Sequence, residues 1–184
     1  ENIACVSIDV DAGINKKTKA KEIACKEAII QSTVEIVRRN LAGLIIIDLP
    51  LDSGRKGTKD LIKMAKNELK KDKISAAVLG VTHGGLLEIT RRRIGPSLLN
   101  SLTEPDLERP WVGRRWRLET IAHEVCLQAK KELQGPSTEL TIRVNKDVAQ
   151  FLTINNFISS WLNAHVFIES QQSFDRDQFE VEGK

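Results

Sequence analysis

The chain has 184 residues, 41% apolar and 29% charged, a balance that excludes intrinsic disorder and leaves room for one domain or one domain with a small satellite. Its longest apolar run, Leu41 to Ile47, is far too short to span a bilayer, and its three scattered cysteines, none in a C-x-x-C, exclude a disulfide scaffold or thiolate zinc site and suit a reducing compartment. The net charge of +3 conceals a split: residues 1–100 carry 18 Lys and Arg against 12 Asp and Glu, residues 101–184 carry 10 against 13, so the first half is expected to meet an anionic partner.

In chain order, Ile3 to Asp9 reads as a short buried strand. Residues 19–40 form a helix whose apolar positions Ile23, Ile30, Val34, Val37 and Leu41 are expected to face inward, with Arg38 and Arg39 near its end and Gly43 beyond. Leu44 to Asp48 is a second strand, apolar on both faces as in a sheet covered on both sides. A loop over 50–57 leads to Thr58 as the cap of a helix with an inward stripe of Leu61, Ile62, Ala65 and Leu69 and a lysine-rich outer face. Ser75 to Leu79 and Gly85 to Thr90 complete a βαβαββ order. Pro96, Pro105 and Pro110 with little periodicity mark residues 101–112 as a linker. After it come a helix on Leu118, Ile121, Ala122, Val125, Ala129 and Leu133 ended by Gly135-Pro136, and a half-buried strand on Leu140, Ile142 and Val144. A short helix capped by Asn145 and strands at Val166–Ile168 and Phe179–Val181 close the chain. The expected fold is α/β: a layered mixed sheet with flanking helices over 1–100, then a small α+β domain over 113–184. No signal peptide is evident, and Glu1 in place of Met is what a fragment or processed product would show.

Two aspartates stand out, because Asp9 and Asp48 each end an apolar strand and the stretch between them is long enough for a right-handed crossover helix. The strands are then parallel neighbours, and both carboxylates lie at the sheet edge where open α/β folds place their ligands. Two adjacent carboxylates repel unless a cation intervenes, and magnesium takes one or two carboxylates with water and phosphate oxygens. The plain alternative is that each aspartate caps a turn. Asp11 follows Asp9 by two residues and reads as a supporting oxygen or a solvated loop residue. Arg91 and Arg93 would share one face of an extended chain and suit phosphates, and Arg55 and Lys56 in a Gly-flanked loop add positive charge. Trp111 to Arg117 interleaves aromatic and basic residues, for which packing of both tryptophans against the small domain is expected over stacking on bases. His83, His123 and His165 have no metal-ligand or triad spacing, and Cys5, Cys25 and Cys126 read as buried apolar residues. No Gly-rich phosphate loop of either common nucleotide-binding type is present.

Ser7-Ile-Asp9-Val-Asp11, Glu27-Ala28, Asn40 to Asp48, and Gly85 to Arg93 with Pro96-Ser-Leu98 resemble, in order and spacing, the ribonuclease E/G family of magnesium-dependent endoribonucleases. The resemblance implies that residues 1–100 are a catalytic deoxyribonuclease I-like subdomain and 113–184 the family's small domain. It implies that Asp9 and Asp48 hold the catalytic Mg2+ (Mn2+ as a substitute), with Asp11 at a position usually held by Asn. Arg91 and Arg93 fall on arginines of the active-site face. The activity implied is hydrolysis of single-stranded RNA to 5′-phosphate and 3′-hydroxyl ends, in the cytoplasm of a bacterium. Three departures accompany it: the extra charge of Asp11, Val34 and Val37 where helix arginines are expected, and no cysteine in 101–112 for a zinc link between subunits. A homo-oligomer through the small domain is therefore expected without zinc. Nothing corresponds to the RNA-gripping OB-fold domain or 5′-end sensor of larger members, so weak RNA binding is expected. A degenerate, non-catalytic RNA-binding or assembly module of the same family is the alternative.

Overall fold

Four apolar runs of the first half pair into one mixed sheet. The structure is a computed structural model describing residues 5–11, 18–50, 57–134, 139–154, 158, 162 and 164–183. It divides into two compact units, Glu1–Leu99 and Asn100–Lys184. In the first unit the strands are β1 (Val6–Asp9), β2 (Gly43–Asp48), β3 (Ala76–Val81) and β4 (Leu86–Arg91), in the order β1-β2-β4-β3. β1 and β2 are parallel, the other two pairings antiparallel. A parallel pair cannot be closed by a hairpin, so the long helix α1 (Thr18–Arg38) serves as its crossover. α2 (Thr58–Leu69) links β2 to β3.

Period-two alternation sends Val6, Ile8, Ile45, Ile47, Val78, Leu87 and Ile89 to one face, where they form a core with Cys25, Ile29 and Ile36 of α1 and Leu61, Ala65 and Leu69 of α2. This corrects the expected inward face of α1. Ile23, Ile30, Val34 and Val37 are 37–50% exposed, and the buried stripe is Cys25, Ile29, Ser32, Thr33 and Ile36. Both sets repeat with helical period, so periodicity cannot choose between them. The buried hydroxyl of Thr33 is satisfied within the helix, donating to the Ile29 carbonyl at 2.8 Å. A second expectation also changes: both helices join the same core, so the sheet is covered on one face by the described residues. The opposite face carries half-buried Leu44, Ile46 and Leu86 beside exposed Asp9 and Asp48.

α1 ends on Asn40, whose φ of 48° is left-handed, with Leu41 N–H donating to the Ile36 carbonyl at 2.9 Å. The Asn40 amide reaches the carbonyls of Ile94 and Pro96 and ties the chain beyond β4 to the helix end. The helix thus stops at the Arg38-Arg39-Asn40 end that the sequence shows, with Gly43 beyond it at the start of β2. α2 starts at Thr58 with Gly57 at the cap position.

The second unit contains a small hairpin, β5 (Thr103–Pro105) with β6 (Arg114–Trp116), preceded by the short α3 (Leu98–Leu102) that begins before the unit boundary. The stretch expected as a linker is therefore structured. Asp106 carries it: its carboxylate, 1% exposed, accepts the N–H groups of Glu108 and Arg109 and the Arg109 guanidinium. A three-stranded sheet, β8 (His165–Ser170), β7 (Glu139–Val144), β9 (Phe179–Gly183), packs with α4 (Leu118–Glu132) and α5 (Lys146–Ile154). Ile121, Ala122, Val125 and Ala129 of α4 bury against Leu140, Ile142, Val144, Val148 and Leu152, as their spacing predicts. Asn145 caps α5, accepting the Asp147 N–H at 3.0 Å. The Gly135-Pro136 helix stop lies outside the described residues.

The face assignment of α1 is testable. Ile36→Ala is expected to cost about 2–5 kcal/mol in urea unfolding, while Val37→Ala stays within about 0.5 kcal/mol. Equal losses, or the reverse order, would show that the other stripe faces the sheet.

Candidate active site

Asp9 and Asp48 are direct register partners, the last pair of the parallel ladder Val6–Asp9 against Ile45–Asp48. Register partners leave a sheet on the same face, from strands about 4.8 Å apart. Both residues are exposed, on the face opposite the core. Octahedral ligand oxygens at magnesium lie about 2.9 Å from one another, so carboxylates on strands this close fit one shared ion. The donor set is hard oxygen throughout, which suits Mg2+ or Mn2+ and disfavours thiolate-seeking metals. Asp9 also lines a pocket of about 580 Å³ between β1 and α1, whose walls include Asp11, Gln31, Glu35 and Arg39. There the Arg39 guanidinium hydrogen-bonds Glu35 at 2.6 Å and holds its carboxyl below the usual range.

Asp11 is exposed, two residues beyond the end of β1. Among the described residues no group of three His, Cys, Asp or Glu is placed to share an ion. Glu88, which the sequence reading passed over, points to the same open face: it pairs with Ile46, between buried Leu87 and Ile89. The alternation Leu87-Glu88-Ile89 was the signal for its direction.

The arginines are placed differently from the aspartates. Asp48 pairs with Leu86 and Gly43 with Arg91, so Arg91 lies at the far end of β4, about 17 Å along the strand. It is also interior. Arg91 is 3% exposed, its Nε donates to Asp72 Oδ2 at 2.7 Å, and its Nη1 donates to Asn40 Oδ1 and the Leu41 carbonyl. A guanidinium committed in this way has no face left for a phosphate. Arg91 instead joins three segments: the end of α1, the turn after α2, and the end of β4. Burial pushes the Asp72 carboxyl up, but the hydrogen bonds from Arg91 and the Ile74 N–H, with the guanidinium charge, outweigh it and hold the group below its usual value. Arg93 is exposed and approaches the Ala42 carbonyl at 3.4 Å, beside Gly43. Arg55 and Lys56 lie outside the described residues.

In the second unit Arg114 and Arg117 bond Thr103, and Arg115 pairs with Glu104 and Glu108, so these basic residues bind the hairpin together. The tryptophans do not pack as expected: Trp111 is 82% and Trp116 43% exposed. Cys25 and Cys126 are buried and Cys5 is exposed, none of them in a disulfide. His83, His123 and His165 are exposed and scattered. Among the described residues no helix is long and apolar enough to cross a membrane.

Comparison with known proteins adds a second line of evidence. The pattern of the ribonuclease E/G family matches residues 2–94. A chloroplastic ribonuclease E/G-like protein of Arabidopsis thaliana is 29% identical over 201 positions, covering 97% of this chain and 20% of its own length. Ribonuclease G of Haemophilus influenzae is 24% identical over 193 positions, covering 97% of this chain and 38% of its own. A ribonuclease E/G-like protein of Porphyra purpurea is 34% identical over 95 positions, half of this chain and 19% of its own. The chain thus spans between about a fifth and two-fifths of the length of these relatives.

The buried Arg91–Asp72 pair makes its own prediction. Arg91→Ala leaves a buried carboxylate uncompensated and is expected to cost about 3–5 kcal/mol in urea unfolding. Because the folded Asp72 value is depressed, its stabilisation is present above the unfolded carboxyl value near about 4 and is lost as pH falls through the folded value. Asp72→Asn is therefore expected to flatten the acid limb of stability against pH. An unchanged acid limb would remove Asp72 from that role.

Proposed function

Because the chain belongs to the ribonuclease E/G family, we propose that it is the catalytic and small-domain portion of a magnesium-dependent endoribonuclease acting on single-stranded RNA. The observation that carries this reading is the register pairing of Asp9 with Asp48 at one exposed sheet edge. These two carboxylates would hold the ion. When bound, the ion supplies a polarised water nucleophile and neutralises charge on the phosphodiester. The expected products are a 5′-phosphate and a 3′-hydroxyl.

The chain's own residues do the rest. β1 and β2 hold the two carboxylates at a fixed spacing, because the ladder between them is four residue pairs long and ends on the aspartates. The Arg91 network acts at a distance, clamping β4 and the helix end so that β2 keeps its place, and is a positioning element rather than a substrate contact. The open sheet face leaves the carboxylates accessible to a polymer. Asp11 adds a third negative charge near the pair, which strengthens cation binding and disfavours an approaching phosphate. The oligomer, if formed through the small domain, has no cysteine in 101–112 to carry a zinc link. Cysteines outside any disulfide suit a reducing compartment, bacterial cytoplasm or the chloroplast that the Arabidopsis relative's name gives for that protein.

The test is a manganese and magnesium titration of cleavage on an end-labelled single-stranded RNA. Asp9→Asn and Asp48→Asn are each expected to lower the rate about 100-fold or more with circular dichroism unchanged. Cleavage that survives both substitutions would overturn the site. Salt-sensitive binding without turnover at any divalent concentration would establish the non-catalytic alternative instead.

A further inference from the structure

The outer face of α2 has no part in the aspartate pair, yet it carries a row of exposed lysines. Lys59, Lys63, Lys66 and Lys70 follow one another at spacings of four, three and four residues, and all are exposed. At 100° per residue they fall within an arc of roughly 60°, a single stripe about 16 Å long. Like charges at these spacings repel by a few tenths of a kcal/mol per pair, so the stripe weakens the helix that carries it. Of the carboxylates close in sequence, Glu68 is paired with Lys71 at 2.6 Å and Asp72 is buried against Arg91, while Asp60 in the first turn also acts on Lys26 of α1 and offsets the charge only at the Lys59–Lys63 end of the stripe.

Beside the stripe runs a groove of about 750 Å³, walled by Lys63, Lys66, Lys70 and Lys73 on one side and by Ala76–Val78 on the other. β3 is the edge strand of the sheet, so its outer backbone groups are outside the ladder. Asp72 is the one carboxylate among the residues lining the groove, and its side chain is 4% exposed. No aromatic side chain lines it, so it offers charge without a stacking platform. The topology also orients it. β3 begins at Ala76, which pairs with Arg91, which pairs with Gly43 at the start of β2, so α2 ends at the end of the sheet away from Asp48. Twelve helical residues span about 18 Å, and the stripe therefore runs back toward the end where the aspartates lie.

We propose that the lysine stripe of α2 and the groove it forms with β3 are a metal-independent track for the phosphate backbone of single-stranded RNA. The track is separate from the aspartate centre and indifferent to base sequence. Flexible point charges without aromatic neighbours grip phosphates, not bases. The identity of the polymer rests on the function proposed above; the track itself rests on charge and shape.

The experiment is fluorescence anisotropy of a labelled 12-nucleotide RNA in EDTA between 50 and 200 mM salt, with the full chain. Wild type is expected to bind with a steep salt slope. The triple variant Lys63→Ala/Lys66→Ala/Lys70→Ala is expected to lose about 2 from that slope, about 0.7 for each phosphate contact. The corresponding triple Lys→Arg variant is expected to keep it, and Lys130→Ala/Lys131→Ala on α4 to leave it unchanged. An unchanged slope in the triple alanine variant, with wild type binding RNA, overturns the track and leaves the aspartate centre standing. No RNA binding by wild type in EDTA also overturns the track, and cleavage with manganese then decides the aspartate centre separately. Loss of binding to vesicles of anionic phospholipid, with RNA binding intact, would assign this face to a lipid surface and overturn the proposal.

Discussion

Parallel pairing between β1 and β2 is the constraint from which the first unit follows. Strands that run the same way must be joined by a crossover, and the crossover must lie on one face of the sheet. α1 takes that place, and its length brings the chain back to start β2 beside the start of β1. Both strands then finish at the same edge. Two aspartates that are 39 positions apart in sequence become direct neighbours, on the face that no described helix covers.

The opposite end of the same sheet is held by a different kind of contact. Arg91, Asp72 and Asn40 come from three segments and satisfy one another in the interior. Such a network is costly to break and specifies one arrangement of helix end, turn and strand. The two ends of the sheet thus differ in kind: acidic and exposed at Asp9 and Asp48, charge-compensated and buried at Arg91. The lysines of α2 lie on neither, which leaves their charge available along the remaining edge. In the second unit the balance is reversed, with Arg143 surrounded by Glu169, Glu180 and Glu182 on the outer face of its sheet. The charge split between the two halves of the chain is therefore a property of particular surfaces.

The strands of the two larger sheets and helices α2, α4 and α5 were legible from local pattern. Ile45 and Ile47, or Leu140, Ile142 and Val144, can hardly be placed except in a strand with a buried face, and α4 shows one apolar stripe only. α1 was not legible in the same way, because it carries two apolar stripes of equal period. The larger aliphatic residues, Ile23, Ile30, Val34 and Val37, drew the expectation outward, while the sheet received the smaller set around Cys25, Ser32 and Thr33. The hairpin around Asp106 was hidden for another reason: its stability comes from hydrogen bonds between a side chain and nearby backbone, which leave no hydrophobic period.

The amino-acid order alone determined the alternation of elements, the parallel partnership of the first two strands and the position of an aspartate at the end of each. These depend on local periodicity and on the handedness of crossovers. Only the tertiary structure decided which face of α1 is buried, that the sheet is open on the side of the aspartates, and that Arg91 is an interior ion-pair partner while Arg93 stays exposed. A run of three arginines reads the same in sequence whether its members reach solvent or not. What separates them is the presence of Asp72 and Asn40 at one end of a strand, and those residues meet Arg91 only once the chain has folded.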